Sequence, residues 1–307
     1  MAYRIQRKPR LGIAFSGGTL KAAAHVGVLS ALRQLGVRVD CVAGTSAGAF
    51  VAALYAHGYT PEELEALVNA FPGVGLFDYG FPMASSMLNL LRQQFYKKNR
   101  KKIPQLPSGL LLGKKLEKYF RKSLARRTAK MPFSVVATDL LSGNPVVFSN
   151  DPQLIAAKKA VNLTDVPRTV LGSCSLPGIL TPVQIGDWLL ADGALRHYVP
   201  VQTLRQAGCN KIIVVNLARL EQGWAPLTFT DILLRSFEIL LEETMSDDLQ
   251  GDDLFILQPD VSHVTWVSFQ EMDECIIAGK KVVAENEKNL RLFLNLSTPP
   301  AAGHANF

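Results

Sequence analysis

A chain of 307 residues with 48% apolar and 19% charged residues is neither disordered nor collagenous, and it is long enough for one large core or two modest ones. Its formal net charge is +7. The four cysteines, Cys41, Cys174, Cys209 and Cys275, are widely spaced and form no CxxC pair, so buried thiols are expected rather than a disulfide framework or a metal site, as suits a reducing compartment.

Residues 1–10 form a basic N-terminal extension carrying Arg4, Arg7, Lys8 and Arg10, without the apolar stretch and small-residue cleavage site of a Sec signal. A cytoplasmic location is expected, and a secretion route outside Sec stays open. Leu11–Phe15 reads as a strand, Ser16-Gly17-Gly18 as a turn and Ala22–Leu35 as a helix. The pattern then repeats: a strand over Val39–Ala43, a turn over Gly44–Gly48 and a small-residue helix to about His57. Cys41–Pro61 lacks charge and is long enough to span a bilayer, but Gly44, Thr45, Ser46, Gly48, His57, Gly58 and Thr60 interrupt it, so no transmembrane helix is expected.

Residues 71–108, with Pro and Gly flanks and the run from Lys97 to Lys102, read as an irregular basic segment on the rim. Helices are expected over Leu112–Leu124, Asp231–Thr244 and Gln270–Leu292, and strands over Phe133–Thr138, Pro145–Phe148, Leu189–Ala191, Lys211–Leu217 and Leu254–Gln258. The uncharged stretch Thr169–Gly186, with Pro177 and Pro182, is expected to be a buried loop leading into a strand. Alternating strands and helices predict an α/β fold with a mostly parallel sheet. No repeat or linker divides the chain, so one domain is expected over 11–295, with a frayed tail over 296–307.

Gly44-x-Ser46-x-Gly48 after an apolar strand and before a helix is the setting in which this pattern carries meaning, because a tight turn of small residues holds the serine exposed. Ser46 is the candidate nucleophile, and the Ala47 amide at the start of the helix is a natural oxyanion donor. Gly17-Gly18-Thr19-Leu20-Lys21 at the first strand-to-helix junction offers further backbone donors. Neither GxGxxG nor GxxxxGK[ST] is spelled there, so an oxyanion loop is the better reading than a nucleotide site. Lys21 either meets a substrate phosphate or anchors the loop.

A serine triad needs a histidine. His25 and His57 fall in helices and His304 in the tail, while His197 and His263 are read as exposed loop residues. Asp192-Gly193-Ala194 instead ends an apolar strand, where the carboxylate could take the serine proton directly. An ordinary aspartate, with a pKa of about 3.9, is a weak base at neutral pH, so desolvation and short distance must compensate. Asp139 is expected to fix a loop.

With these residues in place, the sequence resembles the patatin-like phospholipases, bacterial members in particular, from Leu11 to about Leu292. The blocks occur in order: Gly17-Gly18-Thr19-Leu20-Lys21-Ala22, Gly44-Thr45-Ser46-Ala47-Gly48, Ala137-Thr138-Asp139-Leu140, Ser173-Cys174-Ser175-Leu176-Pro177-Gly178 and Asp192-Gly193-Ala194. The resemblance implies a three-layer α/β/α fold, a Ser46–Asp192 dyad, hydrolysis of lipid acyl esters, and no metal or organic cofactor. Thr19 and Ala22 stand where the family usually has glycines. If Thr19 takes positive φ, the strain is roughly 1–2 kcal/mol.

Between Arg92 and Lys130 lie fourteen Lys or Arg residues and one acidic residue, Glu117. With the apolar run Met83, Met87, Leu88, Leu90, Leu91 and Phe95, this could form a peripheral contact with anionic membranes. A solvated basic surface is the competing reading. Nucleic acid is not an expected partner. Leu116, Tyr119, Phe120 and Leu124 are expected in the core. The sequence therefore points to a lipid acyl hydrolase, with an acyltransferase or thioesterase on the same dyad, or a membrane-binding protein of the same fold without turnover, as alternatives.

Overall fold

A computed structural model describes residues 10–80, 109–220, 223–226 and 228–296. The N-terminal extension 1–9, most of the basic rim segment, the apolar run 83–95 and the tail from 297 lie outside the described residues. The strands are β1 (Leu11–Phe15), β2 (Cys41–Thr45), β3 (Phe133–Asp139), β4 (Pro145–Ser149), β5 (Val161–Asn162), β6 (Val183–Ile185), β7 (Trp188–Asp192), β8 (Lys211–Val215) and β9 (Leu254–Leu257). They form one sheet in the order β5-β4-β3-β2-β1-β8-β9, and the β6–β7 hairpin joins it through β3.

The pairs β1–β2, β1–β8, β2–β3, β4–β5 and β8–β9 are parallel, and β3–β4, β3–β7 and β6–β7 antiparallel. The central strands are Val-, Ile- and Ala-rich runs buried on both faces, as parallel strands covered by helices must be. On one face Ile13, Phe15, Val42, Val135, Ile213 and Val215 pack under α1 (Ala23–Gln34), α2 (Ala47–Ala56), α3 (Pro61–Asn69), α4 (Lys114–Leu124) and α9 (Met272–Glu285). On the other, Ala14, Ala43, Ile212 and Val214 meet Val201 and Leu204 of α7 (Val201–Gln206) and Met245 of α8 (Phe229–Asp248). The result is the three-layer α/β/α arrangement with a mostly parallel sheet.

Three expectations are corrected. Thr169–Gly186 does lead into a strand, β6, but is not otherwise all loop: its first residues belong to α6 (Val166–Ser173), which Asp165 caps by accepting from the Arg168 amide. The helix expected over Gln270–Leu292 is two, α9 and α10 (Glu287–Leu294), separated at Asn286. α3 was not anticipated, although Thr60 and Glu63 form a reciprocal capping box with Pro61 at the start. A short helix α5 (Pro152–Ala156) completes the α-helices among the described residues. The cysteines remain free thiols, but the wide spacing hides one pair: Cys41 Sγ and Cys209 Sγ are 3.0 Å apart in the buried layer beneath β1. Among the described residues, no helix is long and apolar enough to cross a membrane.

Several basic residues of the Arg92–Lys130 segment are committed within the fold. Arg127 pairs with Glu63 at 2.6 Å and lies over the Tyr59 ring, Arg121 bridges Glu117 and Asp165, and Lys115 reaches the Gly75 and Phe77 carbonyls.

Candidate active site

β2 enters the site fully buried and ends at Thr45, whose hydroxyl donates to the His197 carbonyl. Ser46 then takes φ 54° and ψ −130°, a backbone state that side chains rarely adopt, and α2 begins at Ala47. The strain is held by contacts on both sides. The Ser46 amide donates to Ser173 Oγ at 2.8 Å, and that hydroxyl donates onward to the Val136 carbonyl of β3. Gly48 packs against the end of β1 so closely that a Cβ there would lie 2.3 Å from the Ser16 carbonyl oxygen.

Asp192 arrives from the last residue of β7. The antiparallel pairing of β7 with β3 sets Asp192 opposite Ala137, and β3 is the neighbour of β2, so the register carries the carboxylate to the serine. Ser46 Oγ donates to Asp192 Oδ2 at 2.7 Å, across 146 residues of sequence. Asp192 Oδ1 accepts the Ala194 amide at 2.9 Å, and Gly193 has no room for a side chain beside the Val136 carbonyl. Both members of the pair are buried, Asp192 at 3% exposure. Burial pushes the Asp192 carboxyl up to about 6, while its bonds from Ala194 and Ser46 hold it down. Such a carboxylate is a better proton acceptor than an exposed aspartate and is still ionised at neutral pH.

The glycine loop differs in part from expectation. The Gly17 amide donates to the Tyr198 carbonyl at 3.2 Å, and the Tyr198 hydroxyl donates to the Gly17 carbonyl at 2.8 Å. Gly17 is therefore a clamped anchor of the loop rather than a free donor. The short 3-10 turn Thr19–Ala22 has Gly18 as its N-cap, so the Gly18 and Thr19 amides precede any that can bond back within the turn. Gly18, Thr19 and Ser46 line a common cavity, with Ala47 opening α2 beside them. Ala22 is helical at φ −60°, so the alanine there carries no backbone cost.

Thr19 does take positive φ, at 49°, and its hydroxyl donates to the Gly18 carbonyl at 2.8 Å. Thr19→Gly is expected to release roughly 1–2 kcal/mol of strain against a glycine entropy cost of roughly 0.5–1 kcal/mol, a gain of up to about 1.5 kcal/mol before the loss of the hydroxyl bond. Thr19→Ala loses the same hydroxyl bond and keeps the strain, so Thr19→Gly should have the higher thermal midpoint of the two. A Thr19→Gly midpoint at or below that of Thr19→Ala counts against a strained Thr19.

None of the described histidines reaches the pair as a base. His25 is wholly buried and bonds the Ser16 carbonyl through Nε2 at 2.9 Å, and burial lowers its pKa to about 4, so the ring stays neutral beneath the loop. His57 bonds the Ala53 carbonyl, and His263 is an exposed partner of Glu274. His197, expected to be exposed, is half-buried. Cys174 sits beside Ser46, and burial together with the Asp192 charge raises its thiol, which leaves it protonated. Asp139 accepts from the Leu141, Ser142 and Leu189 amides and the Ser142 hydroxyl, which fixes the β3–β4 turn as expected.

Two cavities meet at Ser46. One of about 240 Å³ is almost wholly apolar and runs between α2, α3 and α4, with Phe50, Val51, Leu64 and Phe71 in its wall. Leu116, Tyr119 and Phe120, expected only as core, also line it, whereas Leu124 is core alone. The other, of about 160 Å³, lies between the glycine loop and α8 and carries Lys21, Arg235 and Glu238. The contribution of α8 was not anticipated; its amphipathic pattern shows that one face is covered, not what covers it.

Comparison with known proteins gives one family model, described as patatin-like phospholipase, matching residues 13–205. Among curated proteins, the uncharacterized YqhO of Bacillus subtilis is 29% identical over 68% of this chain and 71% of its own length. An uncharacterized NTE family protein of Mycobacterium bovis is 25% identical over 88% of this chain but only 45% of its own. Lysophospholipase NTE1 of Cryptococcus neoformans is 25% identical over 69% of this chain and 11% of its own length. Among solved structures, VipD of Legionella pneumophila superposes with a TM-score of 0.47 at 13% identity, covering 92% of this chain and 67% of that one.

Proposed function

The chain belongs to the patatin-like phospholipase family, and from that premise we propose that it hydrolyses lipid acyl esters through a Ser46–Asp192 dyad. The observation that carries the reading is the 2.7 Å hydrogen bond from Ser46 Oγ to a buried carboxylate at the junction of an apolar and a charged cavity.

In this reading the acyl chain lies in the apolar cavity and brings its ester carbonyl to Ser46. Asp192 Oδ2 takes the hydroxyl proton as Oγ attacks, and the Gly18, Thr19 and Ala47 amides receive the negative charge on the carbonyl oxygen. Protonated Asp192 then gives its proton to the leaving alkoxide. Water enters, loses a proton to Asp192 and attacks the acyl-serine, and the fatty acid departs as Ser46 is reprotonated. Ser173, bonded to the Ser46 amide, positions the strained turn, and Tyr198 holds the glycine loop through Gly17.

Two measurements test this. Fatty-acid release from lysophosphatidylcholine micelles and from a short-chain chromogenic ester should fall on the order of 10³-fold or more in Ser46→Ala. For the parent, kcat/KM on the uncharged ester should rise with pH to a plateau with its half-maximum near pH 6, because Asp192 acts as a base only when ionised. A parent inert on both substrates that nevertheless binds lipid vesicles would move the reading to a binding protein of the same fold. A half-maximum near pH 4 would mean that Asp192 titrates as an ordinary aspartate, and a rate independent of pH between pH 3 and pH 8 would remove it as the titrating base.

A further inference from the structure

The space over Gly12, the second residue of β1, is filled by a side chain from outside the strand. Gly12 pairs with Cys41 of β2 on one side and with Ile212 of β8 on the other, and a Cβ on Gly12 would lie 2.9 Å from Cys209 Sγ. Because Gly12 has no side chain, the Cys209 sulfur can lie over it, 3.0 Å from Cys41 Sγ. Both cysteines are buried, at 2% and 7% exposure. The backbones that carry them are held by two consecutive residues. Asp40, before Cys41, donates its amide to the Leu11 carbonyl at 2.9 Å and accepts the Leu11 amide at 2.8 Å. Asn210, after Cys209, donates its amide to the Arg10 carbonyl at 3.1 Å and accepts the Arg10 amide at 2.9 Å. The contact between the sulfurs is therefore built into the start of β1.

A cation stands beside the pair. The Arg10 guanidinium bonds Asp151 at 2.7 Å and the Ala207 carbonyl, two residues before Cys209. The hydrogen bond with Cys209 and, after it, the Arg10 charge hold the Cys41 thiol below its ordinary range, against burial and the charges of Asp151 and Asp40. The same bond and burial raise the Cys209 thiol. One sulfur is thus the thiolate and the other the proton donor beside it. The remaining cysteines lack this setting: burial raises both Cys174 and Cys275, the latter to about 12.

We propose that Cys41 and Cys209 are a modification site, at which a hydroperoxide oxidises Cys41 and Cys209 closes a reversible disulfide on it. The Cys41 thiolate attacks one peroxide oxygen, the O–O bond breaks, and the departing hydroxide takes up the proton Cys41 gave up, leaving a sulfenic acid and, from hydrogen peroxide, water. The Cys209 sulfur then attacks Cys41 Sγ, the S–O bond breaks, and the hydroxyl leaves with the Cys209 proton as a second water. The thiols lose two electrons and the peroxide gains them. Reaching a bond of about 2.05 Å closes the sulfurs by about 1 Å. The bond would join the start of β2, whose other end carries Ser46, to the segment after α7, so the oxidised chain resists unfolding more than the reduced one. The site stands apart from the dyad and does not depend on the hydrolase reading.

The test treats the full folded chain with excess hydrogen peroxide, blocks remaining thiols under denaturing conditions and reads the digest by mass spectrometry. The peptides carrying Cys41 and Cys209 should appear joined, lighter than their sum by two hydrogens, while Cys174 and Cys275 are still thiols, and dithiothreitol should restore the separate peptides. The oxidised chain should unfold at a midpoint higher by on the order of 5 °C, a gain that dithiothreitol reverses. In Cys209→Ala, Cys41 should gain one or two oxygens instead, and in Cys41→Ala, Cys209 should be oxidised about tenfold more slowly than Cys41 is in Cys209→Ala. The proposal is overturned if the parent keeps both thiols under peroxide, if Cys174 or Cys275 is oxidised first, if the linkage forms only in urea, or if the two alanine variants react at equal rates. These masses are read whether or not the chain turns over, so an inert parent with the expected linkage removes the hydrolase reading and keeps the thiol pair, and an active parent without it does the reverse.

Discussion

Asp192→Asn is expected to slow turnover sharply and, at the same time, to stabilise the protein above pH 6. Burial holds the folded-state pKa of Asp192 at about 6, against an ordinary value of 3.8. Between those values the folded protein binds more protons than the unfolded chain, so stability falls as pH rises through the window. The favourable contribution is complete below about pH 3.8 and gone above about pH 6, where the buried ionised carboxylate costs about 3 kcal/mol. Asparagine removes that charge, keeps an oxygen for the Ala194 amide and turns a nitrogen donor towards Ser46 Oγ. Urea unfolding at pH 8 should show the variant more stable by up to about 3 kcal/mol, with the difference shrinking towards pH 4. Ester hydrolysis should drop by roughly 10²–10⁴-fold through loss of the base. A variant less stable than the parent at pH 8 would mean that the ionised carboxylate is held favourably and is no strained base.

Gly48→Ala is expected to lower stability and activity together. The new Cβ would meet the Ser16 carbonyl oxygen at 2.3 Å and the Phe15 carbonyl oxygen at 2.7 Å, both backbone atoms at the end of β1. β1 is flanked by β2 and β8 and has no edge along which to move, so the turn after β2 must yield instead. Overpacking of this kind costs roughly 1–3 kcal/mol or more, and a displacement of about 1 Å between nucleophile and oxyanion donors costs about 10²-fold in rate. Gly75→Ala serves as the control, because its nearest neighbour would be the Pro72 Cβ at 3.8 Å. If Gly48→Ala unfolds at the same denaturant concentration as the parent, the close approach is not a constraint.

The parts of this architecture that were legible in the sequence are those whose signal is local. β1 and β2 each run into a glycine turn and then a helix, and Ser46 and Asp192 each sit in a short pattern at a strand end. What brings them together is not local. Asp192 reaches Ser46 through the register of β7 on β3, which depends on pairing across the sheet. The Gly17 amide looks free in sequence because its partner, Tyr198, lies 181 residues away. α6 was hidden for a different reason: its uncharged residues and the prolines beyond it masked the Asp165 cap and the Pro167 near its start. The break at Asn286 falls inside a continuous amphipathic pattern, so periodicity alone joins two helices into one.

The position of β1 also has a consequence for how the chain reaches its folded state. Its parallel partner β2 follows within thirty residues, but on its other side Leu11 pairs with Lys211, and β8 in turn needs β9 at Leu254. At synthesis rates of roughly 5–20 residues per second, β1 spends roughly 10–40 s with one long edge unpaired. An apolar parallel edge exposed for that time is prone to intermolecular pairing. Slow translation at low temperature or a holdase present during synthesis should therefore raise the soluble yield, and refolding from denaturant should be limited by closure of β1 against β8 rather than by assembly of the first two strand-turn-helix units.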